Sequence, residues 1–250
     1  MKRRYSIFAI LIATSLAEAK LAQNEAIPHL RKQGSATQLI VGGRPFLIRG
    51  GELGNSSASS LEYMSSVWEK LVRLNMNTVL IPVYWEQVEP TEGTFDFTVF
   101  DGLVREARKR DLKIVPLWFG VWKNSMSTYV PAWVKNDQRR FPRSQSRDGK
   151  GIEILSAFSP EVLNSDAKAF RPFMKHLRDT DSTQNTVVMV QVENEIGMIP
   201  DSRDRSEIAD RLYAGEVPAE LMNYIVKNRE SLTPELREQW TANGSKPKGT

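Results

Sequence analysis

Three short apolar runs limit what this chain can fold into: TVLIPV (78–83), KIVPLWF (113–119) and VVMVQV (187–192). None of them alternates apolar with polar residues. Each must therefore be covered on both faces, as strands of a parallel sheet are and half-solvated hairpins are not. Helical patterns lie between them. Leu61, Met64, Trp68, Leu71 and Val72 share one face, and Ser59 with Glu62 has capping-box spacing. Phe100, Leu103, Val104 and Ala107 give a second inner face over roughly 98–110, and 166–177 reads as a third helix that Pro172 should kink. Residues 47–51 read as a first strand ending in a glycine-rich turn. Strands alternating with helices predict an α/β fold with about four parallel strands. A short β-hairpin is predicted before them over 39–48, around Gly42 and Gly43. Pro82 and Pro116 are awkward in central strands and are expected near the carboxyl ends of their runs, where the ladder opens into loops. Residues 123–160 read as a long loop, and 218–240 as two helical pieces.

Residues 1–19 have a different character. Lys2, Arg3 and Arg4 precede an apolar run over 5–17 and the small-residue pattern Ala17-Glu18-Ala19. That is the pattern of a secretory leader cleaved after Ala19, which predicts a secreted or periplasmic protein. The apolar run is short for a membrane anchor. Residues 20–37 read as a polar linker, and 38–250 as one domain. Losing the leader would remove three of 34 basic and one of 30 acidic residues, leaving 31 against 29. The nucleic-acid reading suggested by a pI near 9.2 thereby loses its main support. No membrane contact is expected after cleavage, and oligomeric state is not readable. With no cysteine there is no disulfide, thiolate metal site or cysteine nucleophile. His29 and His176 are too few and too scattered for a zinc site, and no cofactor is expected.

Polar residues gather just past every strand: Glu52 and Asn55; Trp85, Glu86 and Glu89; Trp118 and Asn124; Glu193, Asn194 and Glu195. Parallel α/β architectures bind ligands at the carboxyl ends of their strands. The bland alternative is that each group merely begins a solvated loop. No phosphate-cradling loop or Ser-His-Asp arrangement is present. What is abundant is carboxylate with tryptophan, which suits sugars: rings stack on indoles, and two carboxyl groups can cleave a glycosidic bond. In extended backbone Glu193 and Glu195 would share one side with Asn194 opposite, whereas a turn after Glu193 would present Asn194 and Glu195 together. Neighbouring carboxylates would also raise one another's proton affinity.

At this point the residues show a resemblance. QVENEIG (191–197) resembles the acid/base motif of β-galactosidases in glycoside hydrolase family 35, where an Asn-Glu pair closes the fourth strand of a (β/α)₈ TIM barrel. YWEQVEP (84–90) with EGTFDF (92–97) is similar to the segment after the second strand in families 35 and 42. VPAWV (130–134) resembles the stretch after the third. The resemblance implies the amino-terminal half of such a barrel and an oligosaccharide or glycoside substrate. It makes Glu195 the acid/base and has Asn194 hydrogen-bond the hydroxyl beside the reacting carbon. It has Glu193 orient sugar or acid, and makes Trp85 and Trp118 walls of the sugar subsite. Glu89 and Pro90 would shape their loop. Three departures mark a divergent branch: Glu86 stands where family 35 has asparagine, Asn124 near a sugar-binding glutamate, and Ile196 at a tyrosine.

A retaining mechanism needs a second carboxylate as nucleophile, about 5–5.5 Å from the first. In the family it closes the seventh strand. Residues 200–250 offer no strand to carry it, so the chain reads as truncated after its fourth strand and inactive alone. Two rival readings are a non-catalytic carbohydrate-binding protein and an unrelated α/β protein with an acidic strand end open to a metal-dependent role. On the leading reading, Glu195 faces a sugar-sized hollow near the two indoles.

Overall fold

A computed structural model describes residues 27–199 and 201–249. The leader pattern and the start of the expected linker lie outside the described residues. The rest of that linker is not patternless. His29–Gln33 (β1) pairs antiparallel with Ala36–Val41 (β2), which pairs in turn with Arg44–Pro45 (β3). Gly42 and Gly43 supply the two positive φ angles of the expected hairpin turn, 56° and 75°. The additional strand β1 was missed because its polar sequence, HLRKQ, is largely exposed and shows no burial pattern.

The main body is a four-stranded parallel sheet. Its strands are Gly50–Glu52 (β4), Thr78–Tyr84 (β5), Lys113–Phe119 (β6) and, after an intervening hairpin, Gln191–Val192 (β9), hydrogen-bonded in that order. Leu61–Arg73 (α1) connects β4 to β5, and Thr98–Arg108 (α3), after the single turn Trp85–Val88 (α2), connects β5 to β6. α1 is capped one residue later than expected: Ser60, not Ser59, accepts the Tyr63 amide at 3.1 Å. Such a cap contributes about 1 kcal/mol. The first strand likewise begins three residues late. Asn77 accounts for this by bonding the Arg49 amide and the Leu47 carbonyl, which holds 47–49 off the ladder.

The two prolines sit inside the ladder, where the sequence did not place them. Each is tolerated because of the direction it faces. In a parallel ladder alternate residues bond alternate neighbours, and Leu80 and Ile114 turn their backbone groups towards β4 and the fourth strand respectively. Pro82 and Pro116, two residues on, face those same outer neighbours. The seven-residue pairing of β5 with β6 is therefore unbroken, while each outer ladder meets a missing N–H. On one side β4 stops after Leu53 bonds Leu80. On the other, the strand expected over 187–192 is split. Val187 bridges Ile114, regular pairing resumes only at Leu117 with Gln191, and one extra residue is left between them as a bulge.

The long loop expected over 123–160 contains Ala132–Asn136 (α4) and a hairpin of Arg143–Gln145 (β7) with Gly151–Leu155 (β8). Asp148-Gly149, with Gly149 at φ 76°, was the readable hairpin signal. The next helix runs Pro160–Asp181 (α5), longer than expected at both ends and continuous through Pro172. Ser159 caps it and Pro160 takes the first helical position, where a missing N–H costs nothing. Its Asp181 accepts the Val187 amide at 2.7 Å and pairs with Arg108, so side chains anchor the start of the split strand. Glu207–Tyr213 (α6), Ala219–Lys227 (α7) and Pro234–Ala242 (α8) follow. Asp204 ties this region to β7, accepting the Gln145 amide and the Ser156 and Ser206 hydroxyls.

The contact of β6 with α5 is aromatic. Phe173, fully buried, lies against Trp118 at 5.5 Å and edge-on to Phe100 at 5.1 Å. Phe173→Ala should lower stability by about 3–5 kcal/mol, read as a fall in the urea midpoint with an unchanged denaturant slope.

Candidate active site

The segment after β9 is held by the loop after β6. Gly120 to Ser125 crosses the strand end and meets all three polar residues in turn. Glu193 accepts the Val121 amide at Oε1 (3.1 Å) and the Trp122 amide at Oε2 (2.7 Å). Asn194 Oδ1 accepts Lys123 Nζ at 2.8 Å, and that buried ammonium lies over the Phe119 ring at 4.7 Å. The Ser125 hydroxyl donates to the Glu195 carbonyl at 3.3 Å. Glu193 and Glu195 both have left-handed backbone, at φ 62° and 51°. Non-glycine residues adopt it at a cost of about 1–3 kcal/mol each, and such strain gathers at functional sites. The extended triplet is thus replaced by a turned one, which separates the two glutamates.

Their environments differ accordingly. Glu193 points inward and lies beside Asp166 of α5 over Gly120, and Asp166 Oδ1 accepts the Trp118 indole at 2.9 Å. Burial first, and then the neighbouring Asp166, push the Glu193 carboxyl up to about 10 against the opposing amides of Trp122 and Val121. Burial raises Asp166 as well. Glu195 is exposed. The expected mutual raising of proton affinity therefore links Glu193 with Asp166, a residue that sequence reading did not single out.

One expectation needs correcting: Trp85 and Trp118 are fully buried and present no face to a ligand. Trp85 donates to Glu89 at 2.8 Å and meets Trp133 edge-on, while Trp118 lies under α5. They are core residues because the large apolar area of an indole is best used between sheet and helix. Glu193 is turned into the fold, each of its oxygens accepting a backbone amide of the loop after β6. Asn124 is exposed at φ 53° and borders a separate hollow of about 270 Å³ with Met126, Ile152, Glu153 and Ile199. The indole beside the motif is Trp122 instead. It lines a hollow of about 210 Å³ with Ser144, Phe158, Ile196 and Met198. Glu195 lines neither hollow and both expected indoles are buried, so the sugar-sized hollow expected to face Glu195 between them is not found there. Glu89 holds its loop through Trp85 and the Gly93 amide, and Glu86 pairs with Lys135. His176 stacks on Phe97 and bonds Asp101, a structural placement. No group of acids or histidines suited to a metal occurs among the described residues.

The β-galactosidase family of glycoside hydrolase 42 matches residues 59–242. The chain belongs to that family. A β-galactosidase of Xanthomonas manihotis is 28% identical over 215 residues, covering 83% of this chain and 33% of its relative. The fold is similar to the crystal structure of a β-galactosidase from Bacillus circulans sp. alkalophilus, with a TM-score of 0.52 and 14% identity over 79% of this chain and 26% of that one. The chain thus spans about a third of the curated relative's length. The four-stranded parallel sheet with its helices is a partial TIM barrel of the glycoside hydrolase type.

Gly120 is what lets the two acids meet. A Cβ there would overlap Asp166 Oδ1, Trp118 Nε1 and Glu193 Oε1. Gly120→Ala should cost about 1–3 kcal/mol in urea unfolding, with helix content by circular dichroism unchanged.

Proposed function

We propose that this chain carries the proton-donating half of a retaining, β-galactosidase-like glycoside hydrolase. Glu195 is the acid/base, protonating the leaving oxygen and then activating water. Asn194, held by Lys123, bonds the sugar hydroxyl beside the reacting carbon. What carries this reading is the Asn194–Glu195 pair closing the fourth parallel strand of a chain that belongs to the family. The exposure of Glu195 suits a group that must reach an incoming substrate, and the hollow beside Trp122 lies next to it in the chain. Among the described residues no strand follows β9, so the nucleophile is proposed to come from outside this chain. The leader pattern of residues 1–19 supports a substrate met outside the cytoplasm.

Calorimetric titration with a β-galactoside tests the site. Binding by this chain should be weak, with Kd on the order of 1 mM. Glu195→Gln should leave it within about twofold, because the acid acts on the transition state. Asn194→Ala should weaken it by about 1–2 kcal/mol through a lost hydrogen bond. No turnover of a nitrophenyl β-galactoside is expected. Sustained turnover by the purified chain would overturn the external nucleophile, and undiminished binding by Asn194→Ala would overturn the sugar-contacting role of Asn194.

A further inference from the structure

Asp166 and Glu193 stand outside the proposed chemistry, yet their position needs an explanation. Both are half-buried carboxyl groups from different elements, α5 and the end of β9, and Asp166 Oδ1 and Glu193 Oε1 crowd the same point over Gly120, where a Cβ would overlap both. Two ionised carboxylates this close repel each other, so the arrangement favours a proton on one of them. The remaining partners are all donors: the Trp118 indole from β6 to Asp166, and the Val121 and Trp122 amides from the loop to Glu193. Among the described residues, no lysine or arginine contributes to either group. The loop's own lysine, Lys123, is engaged by Asn194 and Phe119. Glu195, the other acid of the segment, is exposed.

We propose that Asp166 and Glu193 hold one proton between them and form a positioning pair. In the singly protonated state the pair fixes the Val121–Trp122 backbone, and through that loop the Lys123–Asn194 and Ser125–Glu195 contacts. Loss of the proton sets two like charges side by side and releases the loop. The word positioning rests on the proposed role of Asn194 and Glu195; the shared proton does not. The fold favours the protonated form, so the pair's contribution to stability is whole below the ordinary carboxyl value of 4.5. It is lost as pH rises towards 10.

Amide hydrogen exchange by NMR on the whole chain, without sugar, reads this directly. Protection at Val121 and Trp122, corrected for the intrinsic rate, should fall by about tenfold or more between pH 6 and pH 10. The Asn194 and Glu195 resonances should shift with the same midpoint. Asp166→Asn supplies an amide donor without a titrating proton, and should flatten both profiles. Should that variant fail to fold, the infrared carbonyl stretch of a protonated carboxyl in the wild-type chain at neutral pH replaces it, and Glu193→Gln should remove that band. Flat wild-type protection, or no such band, overturns the shared proton. Loss of protection with Asn194 and Glu195 unmoved overturns the positioning role. A chain that binds no galactoside but shows all these profiles would sink the functional reading alone.

Discussion

The pairing of β5 with β6 is the contact on which the rest of the sheet depends. It is the longest ladder in the sheet, and it stays intact because Pro82 and Pro116 both turn away from it. The same geometry limits its neighbours. Each proline removes a donor from an outer ladder, so β4 ends early and the fourth strand is interrupted before its polar end. A strand running straight through 187–195 would have kept the extended alternation of the triplet. Pairing resumes at Gln191 and Val192 and ends there, and Glu193 and Glu195 then take left-handed backbone and part ways.

That divergence divides the labour between the two glutamates. One is drawn into the protein against Asp166 and the loop amides, and the other stays exposed at the strand end. Environment, more than residue type, sets what a carboxyl group can do, since burial and a like-charged neighbour both favour the protonated form. The loop over 120–125 joins the two environments. Gly120 admits the acids, and Lys123 and Ser125 grip the segment beyond them. Family membership and fold come from sequence match and architecture, while function has to be argued from this site, because barrels of one shape host many chemistries.

Much of the fold was legible in the residues. The apolar runs over 78–83 and 113–119 are strands almost to the residue, and both expected helices form, burying Phe100, Leu103, Val104 and Ala107 in one and Met64, Trp68 and Leu71 in the other, where Leu61 and Val72 of the expected face stay exposed. Unbroken apolar runs and 3.6-residue spacing are local signals that later contacts rarely overturn. Two of the errors share a cause. Where β4 begins and how the fourth strand breaks depend on partners distant in sequence, Asn77 for the first and Pro116 across the sheet for the second.

The sequence by itself determined the parallel α/β class, the hairpin before it and the placing of Asn194 and Glu195 past the fourth apolar run, because periodicity and chain order are written in one dimension. Only the tertiary structure decided which tryptophan is core and which borders a hollow, and that Asp166 meets Glu193. Twenty-seven positions separate those two acids in the chain. They come together because α5 lies over β6, and because a glycine at 120 leaves room for both.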